Sequence, residues 1–307
     1  MLDVRRMRVL REVARQGSFS AAADALSYTQ SAVSQQIAAL EQEAGAKLLE
    51  RGPRGVRLTD SGRALVEHSE AIFARLAAAE AELDDIAGLR AGRLRLASFS
   101  SAGATLAPLA AGLFRQRHPG IRMELVEADE DESIPLLRAG ELELALIFEP
   151  HMLPEPTLDG VELIHLLDDL MYAVLPRDHR LAKRRRLRIT DLADDPWINP
   201  VANCARVVED ECRRHGIEPK VAFSSEQYAT IQGFVAAGVG IALIPELGLH
   251  PLRDDVVVRS LGSEAPMRRI LAAVHSGFRS PATDEMVEIL KEVAATYPAR
   301  ARALAVA

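Results

Sequence analysis

Residues 18–43, SFSAAADALSYTQSAVSQQIAALEQE, decide how this chain is read. They predict two helices joined by a tight polar turn. Ser18 stands at an N-cap position ahead of the apolar-periodic run Ala21, Ala22, Ala25 and Leu26, where its hydroxyl can satisfy a free backbone N–H of the first turn. Ser27 and Tyr28 form the turn and Thr29 is a second N-cap. Val33, Ile37 and Leu40 then recur at helical spacing and bury one face of the second helix. The opposite face carries Gln30, Ser31, Ser34 and Gln35. A glutamine can bond an adenine edge bidentately and a serine can bond a base or a phosphate. In a helix-turn-helix, the start of the second helix is the part that enters the major groove. The spacing alone also fits a plain helical hairpin with a polar outer face.

Ala44-Gly45 stops the second helix, and LLERGPRGVRLTDSG follows over residues 48–62. Arg51, Arg54 and Arg57, spread around Gly52, Pro53 and Gly55, predict a short two-stranded wing with a basic tip. Such a wing contacts phosphate or the minor groove and positions a protein without reading sequence. Arg57, between the apolar Val56 and Leu58, fits plain solvation equally well.

With these residues in hand, the stretch from Leu2 to about Gly62 closely resembles the N-terminal domain of LysR-type transcriptional regulators, through GSFSAAADAL, TQSAVSQQIAALE and RGPRGVRLTDSG. The resemblance implies that Gln30, Ser31, Ser34 and Gln35 lie at the DNA and that Thr29 and Arg51 lie at its backbone. Ser18 and Arg54 complete the expected contacts. Leu49 stands where the family often has Phe, and Gln35 where a basic residue is common. The second departure bears on base preference or on one phosphate contact.

Charge is unevenly distributed. The chain of 307 residues has a net charge of −7 and a pI near 5.7, which taken uniformly argues against a nucleic-acid partner. Residues 1–63, however, carry ten Lys or Arg against seven Asp or Glu, and the remainder carries 27 against 37. A basic N-terminal part on an acidic body keeps the body off DNA. The length fits two or three domains. MLDVRRMRVLREVARQ is charged throughout and no run approaches a membrane span, so a cytoplasmic protein without membrane contact is expected.

Residues 59–90 predict one long helix, opened by Thr59 or Asp60 and closed by Gly88. Leu65, Ile72, Ala79 and Ile86 repeat every seven residues, with Leu76, Leu83 and Arg90 in an offset row. A seam of this kind packs either on a partner helix or on its own domain. The resemblance favours the partner, as a homodimer or homotetramer matched to an inverted-repeat operator on double-stranded DNA.

From Arg93 the pattern alternates strand and helix. RLRLAS, IRMELVEA, ELELALIF and LMYAVLP are short strands, the first three separated by helices at 103–116 and 132–139, which indicates βαβ units. A second set comprises DDPWI, the helix CARVVEDECRRHG, KVAFSS, the helix EQYATIQGFVAAG and GIALIP. RRILAAVH and a helix at about 282–296 end the chain. The expected architecture is therefore an all-α winged helix-turn-helix over residues 1–62, a linker helix over 63–90 and an α/β domain over 91–307. That last domain resembles the type 2 periplasmic-binding-protein fold, with lobe I at about 91–166 and 268–300 and lobe II at about 167–267. Crossings are expected near Leu166–Leu170 and Glu264–Arg268.

Ligands of open α/β sheets bind beyond the C-terminal strand ends. That rule selects Ser100 and Ser101 after the first strand, as helix caps or as donors to an effector carboxylate. The run Glu127–Glu132 after the second strand is a solvated helix start or a bias toward a cationic or polyhydroxylated ligand. By resemblance, Ser100, Ser101, Asp129, Phe148, Asn203 and Phe223 lie where family members contact small-molecule effectors, whose binding alters DNA bending or RNA polymerase contact. Gly238 and Gly240 of VAAGVGIALIP read as a helix-to-strand turn, and the basic run Lys183–Arg188 as a solvated loop.

Cys204 and Cys212 fall where the peroxide-sensing branch of the family has its redox pair, although the spacing is one residue shorter. Eight helical residues separate them by about 12 Å, so a disulfide would require local unfolding. A thiol-based redox regulator using Cys204 and Cys212 is the alternative reading. No metal-ligand spacing, nucleophile elbow or cofactor motif is present, and neither an enzyme nor a cofactor is expected.

Overall fold

Three capped helices begin the chain. In the computed structural model, which describes residues 1–52, 55–86, 93–150, 158–200, 202–277 and 279–305, α1 spans Val4–Gln16, α2 Phe19–Ala25 and α3 Gln30–Ala44. Each helix starts where a short polar side chain can close its first turn. Asp3 accepts from Arg5 N at 2.7 Å, Ser18 Oγ from Ala21 N at 3.5 Å, and Thr29 Oγ1 from Ala32 N at 3.2 Å. Met7, Leu10 and Val13 of α1, Ala22 and Ala23 of α2, and Val33, Ile37 and Leu40 of α3 form one buried core, joined by Phe73 of a later helix. Arg11 covers the outer face of the Phe73 ring at 4.9 Å.

Strands β1 (Leu49–Gly52) and β2 (Gly55–Leu58) pair antiparallel. The hairpin is fixed near its tip, because Val56 N donates to Gly17 O at 3.0 Å. A Cβ at Gly55 would lie 2.7 Å from that same carbonyl, so the close approach needs glycine there. Helix α4 (Asp60–Ile86) follows, its first turn closed by Thr59 Oγ1 accepting from Gly62 N at 3.0 Å.

The chain divides into two units, one of Met1–Glu80 with Arg138–Gly140, the other of Ala81–Leu137 and Glu141–Ala307. In the second unit, β3 (Arg93–Ser98), β4 (Arg122–Glu127) and β5 (Leu144–Pro150) are parallel neighbours, with α5 (Ser100–Ala104), α6 (Leu106–Arg117) and α7 (Glu130–Arg138) between them. Strand β6 runs 16 residues, Val161–Pro176. The second lobe is built from β7 (Pro196–Pro200), α8 (Ala202–Arg214), β8 (Lys220–Ser225), α9 (Tyr228–Ala236), β9 (Ala242–Pro245) and β10 (Val256–Ser260). Strand β11 (Met267–His275) and helix α10 (Pro281–Ala305) complete the chain.

Strand β6 belongs to both lobes. Residues up to Leu170 pair with β11, which also pairs with β5. From Met171 onward β6 pairs with β9 and β10 instead. The second crossing is the start of β11, where Arg268 faces Asp169 across the ladder. In lobe II, β9 approaches β7 closely, with Ile198 N donating to Ile241 O at 2.7 Å. Gly240 permits this contact, since a Cβ there would lie 2.5 Å from Pro196 O.

Two expectations need correction. The strand read at LMYAVLP is only the second half of β6, because Glu162, His165 and Asp168 interrupt the apolar run while the pairing with β11 continues. The last helix extends to Ala305 rather than ending near 296, passing through Pro298 despite the backbone donor lost there. Gly88 and Arg90 lie outside the described residues.

Candidate DNA interface and candidate effector cleft

The face of α3 opposite Val33, Ile37 and Leu40 is open to solvent. Gln30, Ser31, Ser34 and Gln35 are all exposed there, while the three apolar residues are buried. This is the amphipathic division that the sequence spacing requires. Thr29, besides capping α3, lies 3.0 Å from Ser31 Oγ, so the two hydroxyls form one polar group at the helix start. Ser18 caps α2 and is half-buried. Tyr28, 53% exposed in the turn before α3, extends this surface, which its reading as a turn residue does not anticipate. Arg57 is exposed on β2; Arg51 lies on β1, and Arg54 lies outside the described residues. The helix angle is held by Arg6 of α1, whose Nε donates to Gln36 Oε1 at 3.2 Å and whose guanidinium pairs with Glu43.

The stripe expected along α4 divides in two. Leu65 and Phe73 pack in the N-terminal core. Ile72, Leu76 and Leu83 are 37%, 45% and 64% exposed.

Between the two lobes is a cavity of about 360 Å³. It opens beyond the C-terminal ends of β3 and β4, where helix starts converge. Ser100, Ser101, Asp129 and Phe148 line it, together with Phe99, Pro200, Cys204 and Tyr228. Asn203 and Phe223 do not line it. Phe223 instead stacks on Phe234 at 4.0 Å in the lobe II core.

Arg268, which lines the cavity, forms a buried ion pair with Asp169 behind it; the two residues fall at the lobe crossings expected from sequence, but not among the expected site residues. Arg268 and Asp169 are each 1% exposed, with Arg268 Nε donating to Asp169 Oδ2 at 2.9 Å. Arg268 Nη2 donates to Ser101 Oγ at 2.6 Å, and Leu247 N donates to Asp169 Oδ1 at 3.2 Å. A continuous hydrogen-bonded chain thus runs from lobe I, through both crossing strands, into lobe II. The guanidinium also lies 5.1 Å from the Phe99 ring and 4.7 Å from the Phe148 ring, which themselves meet edge to face. Burial pushes the Asp169 carboxyl up, while Arg268 and the Leu247 backbone N–H pull it back. Burial also works against the Arg268 charge, but the adjacent carboxylate outweighs it and the arginine stays protonated. The only sequence signal for this pair is its position, one charged residue at each expected crossing.

Cys204 Sγ lies 3.1 Å from Tyr228 Oη. Burial pushes the Cys204 thiol up, and burial with Glu211 and Glu209 pushes Cys212 up to about 12. Both thiols are buried, free and on the same helix. They are protonated at neutral pH and therefore poor nucleophiles.

Asp129 is pushed up by burial and by Glu132, Asp131, Glu226 and Glu127 around it. Its charged form is disfavoured in the folded chain, so this cost is fully present above the raised pKa and fades as pH falls through it toward the ordinary carboxylate value. Asp129→Asn is accordingly expected to raise the melting temperature at pH 7. Thermal melts across the carboxylate range check the sign: the gain should fade toward acid, and a gain independent of pH would refute an origin in the buried, crowded Asp129 charge.

The chain matches two family models. Residues 4–63 match the bacterial regulatory helix-turn-helix protein, lysR family, and residues 87–295 match the LysR substrate binding domain. It is 31% identical to the probable HTH-type transcriptional regulator LrrA of Synechococcus elongatus, over 95% of this chain and 98% of that one. It is 33% identical to a probable hydrogen peroxide-inducible genes activator of Mycobacterium avium, over 86% and 85%. Its fold is similar to that of a full-length OxyR variant from Pseudomonas aeruginosa, with a TM-score of 0.68, 22% identity, and coverage of 96% and 95%.

Proposed function

Since the chain belongs to the LysR family of DNA-binding transcription regulators with an effector-binding domain, we propose that a homodimer or homotetramer reads an inverted-repeat operator through Gln30, Ser31, Ser34 and Gln35. Thr29, Ser18, Arg51 and Arg54 position it on the phosphate backbone, and a small molecule bound between the lobes changes its grip. The observation that carries the DNA reading is the exposed polar face of α3 above a fully buried apolar one. The exposed Ile72, Leu76 and Leu83 of α4 support dimerisation. The cavity over the Arg268–Asp169 pair supports effector control. Of the expected contacts, Ser100, Ser101, Asp129 and Phe148 remain in this proposal, while Asn203 and Phe223, which do not line the cavity, leave it.

An effector alters DNA binding to the extent that it favours one lobe arrangement. A coupling of about 1–3 kcal/mol changes affinity several-fold. The output is altered DNA occupancy, with altered RNA polymerase contact as its consequence in the cytoplasm, and no catalytic step is needed. Buried, protonated thiols eight residues apart on one helix speak against the thiol-switch alternative.

Footprinting on the intergenic DNA beside the gene tests the proposal. A protected inverted repeat is expected. Gln30→Ala should relax discrimination at one base position by about 1–3 kcal/mol, whereas Arg51→Ala should weaken binding to all sequences and flatten its salt dependence. No protection at low salt would sink the DNA reading, and uniform loss in both variants would sink the division between reading and positioning.

A further inference from the structure

The walls of the cleft carry a negative charge that no described residue neutralises. Glu127, Asp129, Asp131 and Glu132 line it from lobe I and Glu226 from lobe II. Among the described lining residues the single cation, Arg268, is already matched by Asp169. None of the five acids forms an ion pair with a described residue, whereas Glu124, on the same strand as Glu127, pairs with Arg93 and Arg122. Asp131 and Glu132 favour the α7 dipole by their position in its first turn. Asp129 shares that position, its carbonyl accepting from Ser133 N at 2.8 Å at the start of α7, but the helix start does not account for Glu127 at the end of β4 or for Glu226 on the opposite lobe, both exposed at the rim of the cleft. Asp129 and Glu226 line the same cavity from opposite lobes, and burial together with the surrounding carboxylates, Glu226 among them, pushes the Asp129 carboxyl up.

We propose that the effector is an organic amine carrying two or more ammonium groups, held between Asp129 of lobe I and Glu226 of lobe II. This rests on the reading of the cleft as the effector site and adds the class of ligand. Ammonium groups bridging the walls remove the repulsion and draw the lobes together. Among the described residues, no group of three or more His, Cys, Asp or Glu could hold a metal ion, and a space of about 360 Å³ suits a small organic molecule. Recognition comes from the carboxylates, since the Arg268 guanidinium already stacks on Phe99 and Phe148.

The test is calorimetry on the full-length chain with putrescine and spermidine, with Mg²⁺ alone and benzoate as controls. Each probe is then added to an operator-binding assay. The amines are expected to bind at low salt, to bind at least about tenfold more weakly to Asp129→Asn/Glu226→Gln, and to shift the operator affinity of the parent beyond the shift they cause in that variant through their own binding to DNA. That double variant, relieved of repulsion, should melt no lower than the parent, which guards against a folding defect. The proposal is overturned if neither amine binds, if both bind parent and variant alike, or if Mg²⁺ alone occupies the site and excludes them. Benzoate binding that is lost on filling the cleft with Ser100→Phe would keep the cleft as the effector site and overturn the amine class. Amine binding that is sensitive to the variant yet shifts operator affinity no further in the parent than in the variant would keep the amine class and overturn the effector reading.

Discussion

Asp169→Ala is expected to destabilise the second unit by about 3–5 kcal/mol, because it leaves the Arg268 guanidinium buried without its carboxylate. Arg268 cannot escape by losing its proton, and its remaining partners, Ser101 Oγ and two phenyl rings, are neutral. For a unit of this size the loss corresponds to a fall in melting temperature on the order of 10 °C. Removing both charges together, as Asp169→Leu/Arg268→Met, should restore part of that loss, since a well-packed apolar pair need not be less stable than a buried ion pair, while the Leu247 N–H is left without its acceptor. Calorimetric melting of the three proteins decides the matter. A single-variant loss below about 1 kcal/mol would mean that the pair is hydrated and that the hydrogen-bonded chain between the lobes is weak.

Ile72→Glu/Leu83→Glu is expected to give a monomer whose operator affinity is lower by roughly 10²–10⁴-fold, the size of an avidity effect when two half-sites can no longer be engaged together. Leu83 is 64% and Ile72 37% exposed, and neither belongs to the N-terminal core cluster, so the substitution should leave that core intact. Phe73, one residue from Ile72, is 6% exposed and holds that core instead. Light scattering reads the mass, circular dichroism the fold and a gel shift the affinity. A variant that stays dimeric with full operator affinity would refute the assignment of this stripe to a partner.

The N-terminal half is legible from local rules. Caps at Ser18 and Thr29, a 3.6-residue apolar period in α3 and glycine stops define its helices without reference to distant residues. The parallel strands of the second half are legible for the same reason, as apolar runs between helices. What escapes depends on pairing across long sequence separations. The first half of β6 carries charged residues and is a strand because β11, about a hundred residues later, pairs with it. The Arg268–Asp169 pair is invisible as a site feature for the same reason, since nothing near either residue announces the other. Phe223 falls outside the cavity because alternation along β8 does not say which face meets it, and the contact with Phe234 decides the matter. The partner of Cys204 is equally hidden in the sequence, because Tyr228 meets it only once α8 and α9 are packed.

The two crossings between the lobes are paired strands, Leu170 facing Met267 and Asp169 facing Arg268, with the ladder irregular between Ile270 and Leu271. Two separate linkers would act as a ball joint and let the lobes swivel in any direction. A two-stranded ladder behaves as a leaf spring: stiff in its own plane, compliant to bending and twisting out of it, and softest beside the irregularity. Motion of the lobes is thereby confined to bending and twisting of this ladder, with an elastic return once the load is removed. A signal carried this way is graded by how far the spring is bent, and its direction is set by the ladder rather than by the shape of whatever occupies the cleft.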